Sequence, residues 1–373
     1  MTIERFVPDV SDADLADLRW RLGHTRWPDQ LEGTSWEHGA PLDVVRRLAD
    51  AWIDLDVREA FAALDRDLPS WRVPVGEHRL HFARVEPAGG IRPRQPVLLL
   101  HGWPSSYAEF RAVALDLARR GHEVVVPSLP GHGFSSIPTR VGLGADACAP
   151  LMVRLMVEVL GHDRFVVHGG DRGAFVGTSM AVAAPEHLAG LHISLPGGMA
   201  GEGDDRAEEE TRWLTETAAW VVEEGGYSAV QSTRPQTLAY AMHDSPVGQL
   251  AWIVEKHRVW SDCDGDLSRV FTDEQLLLNV SIYWFTGTFR AASHWYWEHR
   301  VNPPSWVRPV TVDVPTGVIR YPRESTRAPR SAVERKHRRL VRWTEKSRGG
   351  HFPAYEDPVG LADDIAAFAA SLA

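Results

Sequence analysis

Cysteine is scarce in this sequence of 373 residues, which contains only Cys148 and Cys263. Neither belongs to a CxxC pair, and two cysteines cannot build the disulfide framework of a small secreted fold. The first fifteen residues lack the basic segment followed by an apolar segment that a secretory signal needs. We therefore expect reduced thiols and a cytoplasmic location.

Long apolar runs and an excess of positive charge are also missing. No uninterrupted apolar segment approaches the roughly 20 residues that span a bilayer, so we expect no membrane anchor. The formal net charge is −10, whereas a general nucleic-acid binder needs clustered Lys and Arg; no nucleic-acid partner is predicted. The sequence has no His-Glu-x-x-His motif, no P-loop and no complete dinucleotide-binding glycine motif, so no metal and no cofactor are predicted.

What the chain does contain is many tryptophans and an alternation of strand-like and helix-like segments. The 15 tryptophans favour an aromatic-lined pocket. Residues 1–75 show mainly helical spacing of apolar positions, with Ser11 as a candidate helix cap. After them, short β-branched or apolar runs alternate with segments of helix length. Continuous apolar strands separated by helices predict an α/β protein with a mostly parallel sheet covered on both faces.

The alternation stops near Gly197, and a charged, Trp-containing helical segment follows before strands resume. A helical block inserted between strands of one sheet is typical of a cap over an active site. We predict four regions along the chain: an N-terminal helical region (1–75), a first part of the α/β core (76–203), a helical cap (204–305) and a second part of the core (306–373).

A strand, a sharp turn and a helix are predicted around Gly169–Gly173, which reads Gly-Gly-Asp-Arg-Gly. The two outer glycines fit a G-x-nucleophile-x-G elbow, in which they permit a strained turn that exposes the central side chain. That residue is Asp171, and a carboxylate attacks carbon electrophiles to form an ester. The alternative is an ordinary surface turn. Ser179 is a poor serine nucleophile because it lies inside a helix and lacks the second glycine.

A second motif, His101-Gly-Trp-Pro104, follows a buried strand at 97–100. The backbone N–H of Trp103, together with that of Arg172, is predicted to form an oxyanion hole. Pro104 is a candidate for a cis peptide bond. Because His101 directly follows a buried strand, we interpret it as a structural residue rather than as the catalytic base.

The predicted base is His351, in a Gly-Gly-His-Phe-Pro loop between the last strand and the last helix. The order nucleophile, acid, histidine along the chain is that of the α/β-hydrolases. Glu324 follows the end of the preceding strand and is the favoured acid. Asp313, at the start of that strand, is the weaker candidate.

Together these motifs resemble the microsomal-type epoxide hydrolases of the α/β-hydrolase fold, and the resemblance covers nearly the whole chain. The two most specific segments are 226–235, which begins Gly-Tyr-Ser-Ala, and 279–298, which ends His-Trp-Tyr-Trp-Glu. The resemblance implies that Tyr227 and Tyr296 hold the epoxide oxygen and that Glu324 is the acid of the charge relay.

The sequence departs from the family pattern at two places. The family usually has Trp after the nucleophile, whereas here Arg172 could pair with Asp171 and weaken it, or reshape the pocket. The aromatic run Trp295–Trp297 suggests a distinct, bulky or aromatic substrate. The residues predicted to line the substrate pocket are Trp103, Pro104, Trp252, Trp284, Trp295 and Phe352.

The sequence thus predicts an epoxide hydrolase that acts on a small-molecule epoxide. Its product would be a vicinal diol, formed through an ester on Asp171 that water activated by His351 and Glu324 hydrolyses. Two alternatives stay open: a haloalkane or haloacid dehalogenase of the same fold, and a non-catalytic binding protein silenced by Arg172. Dehalogenases typically have a tryptophan beside the nucleophile and lack the tyrosine pair. A homodimer is left open as the assembly.

Overall fold

The computed structural model describes residues 2–87, 89 and 93–372, and a nine-stranded sheet forms the centre of this part of the chain. The strands are Glu4–Phe6 (β1), Ser70–Val75 (β2), His78–Val85 (β3), Val97–Leu100 (β4), Val124–Pro127 (β5), Phe165–Gly169 (β6), Leu188–Ile193 (β7), Thr316–Arg320 (β8) and Leu340–Glu345 (β9). Their order across the sheet is β1-β2-β3-β5-β4-β6-β7-β8-β9. The pairs β1–β2, β2–β3 and β3–β5 are antiparallel, and the other five pairs of neighbouring strands are parallel. The prediction of a mostly parallel sheet is confirmed.

Helices cover both faces of this sheet. Those of the described residues are Asp12–Gly23 (α1), Leu42–Asp54 (α2), Val57–Asp67 (α3), Arg111–Arg119 (α4), Ala145–Arg154 (α5), Asp171–Ala183 (α6), Glu208–Glu224 (α7), Gly226–Thr233 (α8), Pro235–Asp244 (α9), Pro246–Trp260 (α10), Asp273–Thr286 (α11), Phe289–Val301 (α12), Arg330–Lys336 (α13), Pro353–Glu356 (α14) and Pro358–Ala370 (α15). Alternate residues of β4 belong to different cores: Val97 and Leu99 pack with α4 and α15, whereas Leu98 and Leu100 pack with α5 and α6. This alternation follows from the two-residue period of a strand.

The N-terminal region is not helical throughout, because it contributes β1 and β2 to the edge of the sheet. β1 is only three residues long, which is too short to show a periodic pattern in sequence. Asp313 was expected at the start of the strand that precedes Glu324, but that strand, β8, begins only at Thr316. Pro315 has no N–H to donate and immediately precedes that start. Val312 makes only an isolated bridge to His337.

Six helices, α7 to α12, lie between β7 and β8 and form a helical insertion (residues 208–301) into the sheet. Helices α10 and α11 of the insertion pack against α2 of the N-terminal region. At this contact the indole N–H of Trp52 donates a buried 2.8 Å hydrogen bond to the Ser281 hydroxyl. None of the helices in the described residues combines the length and the apolar character that crossing a bilayer requires.

The parallel strands bring distant motifs to one edge of the sheet. Parallel strands end at the same edge, which is where open α/β sheets bind their ligands. The segments that follow β4, β6, β8 and β9 carry Trp103, Asp171, Glu324 and His351 in that order. The topology therefore explains why residues more than 200 positions apart meet.

Candidate active site

Asp171 stands on a strained turn between β6 and α6, with a φ of +43°. Left-handed backbone is uncommon for a residue other than glycine and marks local strain. Two glycines make the turn sterically possible. A Cβ on Gly173 would lie 1.8 Å from the Leu100 carbonyl oxygen, and one on Gly169 would lie 2.3 Å from the Gly173 carbonyl carbon. The glycine spacing seen in sequence thus reflects close contacts among β4, β6 and α6.

The loop after β4 holds one oxygen of the Asp171 carboxylate. The backbone N–H of Trp103 donates a 2.8 Å hydrogen bond to Oδ1. The preceding Gly102 is needed for this approach, because a Cβ there would lie 2.3 Å from the Asp171 Cβ. The Trp103–Pro104 peptide bond is cis. Within the described residues, the Arg172 backbone N–H makes no hydrogen bond to this carboxylate, so Trp103 is the donor that the structure brings into place.

His351 lies between Asp171 and a second carboxylate. Its Nε2 is 3.7 Å from Asp171 Oδ2, and its Nδ1 is hydrogen-bonded at 2.7 Å to Glu324 Oε1. Both His351 and Glu324 are buried. Burial works against protonation of the imidazole, but Glu324, with help from Asp171 and Glu109, raises the pKa of His351 to about 9. The arrangement is that of a base whose orientation is fixed by an acid.

Two tyrosines from the helical insertion meet over Trp103. The rings of Tyr227 and Tyr296 lie 5.3 Å and 5.6 Å from that indole and 5.6 Å from each other. Burial raises the pKa of both phenols, and the nearby negative charge of Asp171 adds to this effect. Both side chains are therefore protonated donors near neutral pH.

Each tyrosine ring also faces a cation. The Lys256 ammonium lies 4.8 Å from the Tyr227 ring centroid, and the Arg172 guanidinium lies 4.3 Å from that of Tyr296. The positive charge of Arg172 opposes the rise in the pKa of Tyr296. Since a cation favours the ionised form of a neighbouring acid, the contact with Arg172 makes Tyr296 a better proton donor.

The Arg172 side chain is directed toward the helical insertion rather than toward the nucleophile. Its guanidinium donates a 2.8 Å hydrogen bond to the Ala292 carbonyl oxygen in α12. Its closest approach to Asp171 is 4.0 Å, from Nε to Oδ1, which is too long for a hydrogen bond. Arg172 and Asp171 therefore form a loose ion pair without a hydrogen bond, whereas the guanidinium lies against the Tyr296 ring and bonds to Ala292.

Asp171 lines two separate cavities. The larger, here called the aromatic cavity, has a volume of about 330 Å³. Both Tyr227 and Tyr296 lie in its wall together with Arg172. The other aromatic and apolar residues of this wall are Ala145, Phe175, Leu195, Trp220, Val221, Trp295, Pro304 and Trp306, and the other polar ones are Thr217, Ser228, His299, Ser325 and Thr326. Such a lining suits a mostly apolar small molecule held by a few polar groups.

The smaller space, here called the inner cavity, measures about 20 Å³ and is lined by Asp171, His351 and Glu109, among others. Among the residues that the structure describes, Asp171 is the one member common to both linings. A larger groove of about 640 Å³ lies between residues 20–45 and 244–251, and Asp171 is not in its wall. Shape alone would favour that groove, but the titratable groups converge on the two cavities at Asp171.

Of the six residues predicted to line the substrate pocket, three line one of the two cavities at Asp171 and three line neither. Trp295 lines the aromatic cavity, whereas Trp103 and Phe352 line the inner cavity. The other three lie outside both linings. The Pro104 carbonyl accepts a hydrogen bond from Asn279, Trp252 donates to Gln231, and Trp284 packs edge-on against Trp52. These three belong to the packing of the insertion, because their partners lie on neighbouring helices and loops.

Comparison with known proteins supplies the family. Residues 3–110 match the model described as "Epoxide hydrolase N terminus", and residues 95–240 match that of the alpha/beta hydrolase fold. A Stigmatella aurantiaca protein, assigned by its name to the epoxide hydrolases, is 37% identical over 95% of this chain and 82% of its own length. Epoxide hydrolase 1 of Sus scrofa is 30% identical, covering 98% of this chain and 88% of its own. The crystal structure of juvenile hormone epoxide hydrolase from Bombyx mori superposes with a TM-score of 0.90 at 28% identity, over 100% and 95% of the two chains.

The chain belongs to the epoxide hydrolase family. It is accordingly a hydrolase with the α/β-hydrolase fold, as the motifs predicted. The separate N-terminal match agrees with the presence of strands and helices before β3 that pack on the sheet edge and on the insertion.

In this epoxide hydrolase, His101 lies where its interpretation as a structural residue places it, and Asp313, the weaker candidate for the acid, lies away from His351. His101 is buried, accepts a hydrogen bond from the Leu129 backbone N–H, and has a pKa lowered to about 4 by burial. Asp313 is exposed and pairs with Arg338 at 3.8 Å, whereas Glu324 is the acid in contact with His351.

Sequence reasoning missed Glu109, which the structure places beside Asp171 and His351. The available signal was an acidic residue between Ala108 and Phe110, five positions after the proline of the Trp-Pro turn. Within the described residues, no cluster of three or more His, Cys, Asp or Glu side chains is arranged to hold a metal ion.

Proposed function

We propose that this enzyme opens an epoxide to a vicinal diol through a covalent ester on Asp171. The observation that carries the proposal is that Asp171 faces both a tyrosine pair and a buried His351–Glu324 pair. The tyrosines supply the proton donors that ring opening requires. His351, oriented by Glu324, supplies the base that hydrolysis of the ester requires.

In the first half-reaction, Asp171 Oδ2 attacks one ring carbon from the aromatic cavity, and the bond from that carbon to the epoxide oxygen breaks. The departing oxygen is a strongly basic alkoxide and takes a proton from Tyr227 or Tyr296. A phenol is well matched to this role because it stays protonated until the alkoxide develops. Oδ1, which accepts the hydrogen bond from Trp103, becomes the carbonyl oxygen of the ester.

In the second half-reaction, His351 removes a proton from water, and the hydroxide attacks the ester carbonyl carbon. Negative charge develops on Oδ1 against the Trp103 N–H; removing one such donor typically costs about 10²–10³ in rate. The Arg172 N–H is proposed as a second donor that engages the tetrahedral intermediate, since hydrogen bonds often tighten only in the reacting complex. When the acyl–oxygen bond breaks, the second proton of the attacking water passes from the new carboxyl group to the departing diol oxygen, which leaves Asp171 as a carboxylate; the proton on His351 restores the phenol.

We further propose that the helical insertion serves as the cap and sets the substrate class. It supplies Tyr227, Tyr296, Trp220 and Trp295 to the aromatic cavity. Aromatic side chains provide much of the contact area in apolar pockets. We therefore propose an epoxide with an aromatic or similarly bulky apolar substituent.

A single turnover in heavy-oxygen water tests the ester, with enzyme in excess over styrene oxide. We expect the diol of the first turnover to carry no label, because its new oxygen comes from the Asp171 carboxylate. The label should instead appear in the peptide that contains Asp171, as measured by mass spectrometry. Asp171→Ala should form no diol above the uncatalysed rate.

Direct attack of water on the epoxide would give the opposite pattern. Label in the first-turnover diol, with none in Asp171, would refute the covalent mechanism while leaving the family assignment in place. Glu334→Gln is a suitable control, because this carboxylate is exposed and pairs with Arg330 at the surface. We expect it to give the wild-type labelling pattern.

A further inference from the structure

The inner cavity contains polar groups that have no protein partner. The Ser194 hydroxyl oxygen is buried and makes no hydrogen bond to any other described residue, and the buried Ser105 hydroxyl lies next to Glu109 without a hydrogen bond of good geometry. Buried polar atoms are nearly always bonded to protein or to ordered water. The cavity volume of about 20 Å³ is that of a single water site, for which about 10–15 Å³ suffices.

Glu109 supplies a third carboxyl group next to Asp171 and His351. It lies in the short helical turn Tyr107–Phe110 after the Trp-Pro loop, and its side chain is buried. Burial raises the pKa of Glu109 to about 8, although Ser105 and His351 oppose this rise. A protonated carboxyl group can both donate and accept a hydrogen bond, as is required to orient a water molecule.

We propose that the inner cavity holds the water that hydrolyses the Asp171 ester, and that Glu109 and Ser105 are positioning residues which orient this water toward His351. The inference rests on the proposed ester mechanism and adds a water site to it. The alkyl group of the proposed ester would lie in the aromatic cavity, on the side of Asp171 that faces Tyr227 and Tyr296, which leaves the inner cavity as the side open to a water molecule. Asp171 and His351 both line the inner cavity, which therefore presents one water to the base and to the ester together.

The step balances without any additional reactant. The water oxygen bonds to the carbonyl carbon of the ester, and one of its protons passes to His351 Nε2. Glu109 and Ser105 exchange hydrogen bonds with the water but gain and lose no proton. Their contribution is orientation, which lowers the entropy that the attacking water has to lose.

The test separates the two half-reactions by rapid chemical quench with styrene oxide under single-turnover conditions. Glu109→Leu and Ser105→Ala should form the ester within about twofold of the wild-type rate, yet hydrolyse it about tenfold or more slowly, because one hydrogen bond to the water is lost. Glu109→Gln keeps a donor and an acceptor and should recover most of the rate. Ser106→Ala is the matched control, since Ser106 Oγ is also buried and unpartnered among the described residues but does not line the cavity. It should behave as wild type.

The pattern across variants decides the outcome. Unchanged ester hydrolysis in both Glu109→Leu and Ser105→Ala would overturn the water site. Equal slowing of ester formation and ester hydrolysis would also overturn it, because that pattern indicates a structural role. If Glu109→Leu fails to fold, Ser105→Ala decides alone, because it removes a single oxygen atom. Absence of any ester in the wild-type enzyme would overturn the proposed function itself, and the water site with it.

Discussion

The charge state of His351 depends on whether Asp171 is free or esterified. In the free enzyme, Glu324 and Asp171 both favour protonation of His351, whose pKa is about 9. Ester formation neutralises Asp171 and removes one of these contributions, so the pKa of His351 falls in the intermediate. The imidazole thus loses its proton more readily, and is more often available as a base, at the stage at which the reaction needs one.

We expect the rate of ester hydrolysis to rise with pH and to level off at an apparent pKa below 9, because protonated His351 cannot accept a proton. Glu324→Gln removes the main charge that favours protonation and should move this apparent pKa to lower pH. It should also lower the plateau, since the imidazole loses its ion-pair partner. Rapid-quench rates between about pH 6 and pH 10 measure both effects. If the apparent pKa of ester hydrolysis is the same in Glu324→Gln as in the wild type, the assignment of His351 as the base is contradicted.

Individual site residues differ in how far the sequence predicts them. Asp171 and His351 are marked by local glycine patterns, and Glu324 by its place after a strand, so the structure brings together the three positions that the sequence predicted. The orientation of the Arg172 side chain depends on the Ala292 carbonyl, which lies 120 positions away in sequence. Contacts of that kind leave no local pattern, and neither does the burial of Glu109.

At the scale of secondary structure elements, Arg172 connects helix α6 of the core with helix α12 of the insertion. The hydrogen bond to Ala292 and the contact with the Tyr296 ring lie within one turn of α12. A buried hydrogen bond from a charged group typically contributes about 1.5–3 kcal/mol. This contact therefore fixes the helix that carries one of the two proposed proton donors.

Arg172→Met should slow ester formation by about tenfold. Tyr296 loses the guanidinium that packs on its ring and, with it, the positive charge that favours its ionised form. Ester hydrolysis should change much less, since His351 and Glu324 do not contact this guanidinium. Arg300→Met is the matched control, at an exposed position near the end of the same helix. Faster ester formation in Arg172→Met would instead mean that the guanidinium restrains Asp171. The two rates come from one rapid-quench time course.

Elements are predicted from the sequence when their own residues carry the pattern that defines them. Strand β4 was predicted at its observed bounds because four consecutive apolar residues are buried on both faces. β1 was missed, since its pairing with β2 is decided by contacts with residues about 65 positions away. The six helices of the insertion were predicted as one helical segment, but their mutual packing could not be derived from spacing alone.

At the scale of the whole molecule, the N-terminal region joins the sheet to the helical insertion. Its strands β1 and β2 extend the sheet edge, and its helix α2 packs against α10 and α11. Trp52 lies at the centre of this second contact and is almost fully buried. The insertion is therefore held on one side by Arg172 and on another by the N-terminal region, which limits the movement of both tyrosines.

Trp52→Phe tests this second attachment. The substitution keeps an aromatic ring but leaves the buried Ser281 hydroxyl without its donor, and we expect the free energy of unfolding to fall by about 1–3 kcal/mol. Adding Ser281→Ala should restore part of the loss, because the unsatisfied oxygen is then removed. Trp20→Phe, at a position 60% exposed, should change stability by less than about 0.5 kcal/mol. Urea denaturation followed by circular dichroism gives the free energy of unfolding of the wild type and of the three variants. A Trp52→Phe variant as stable as the wild type would mean that the insertion is held by the core alone.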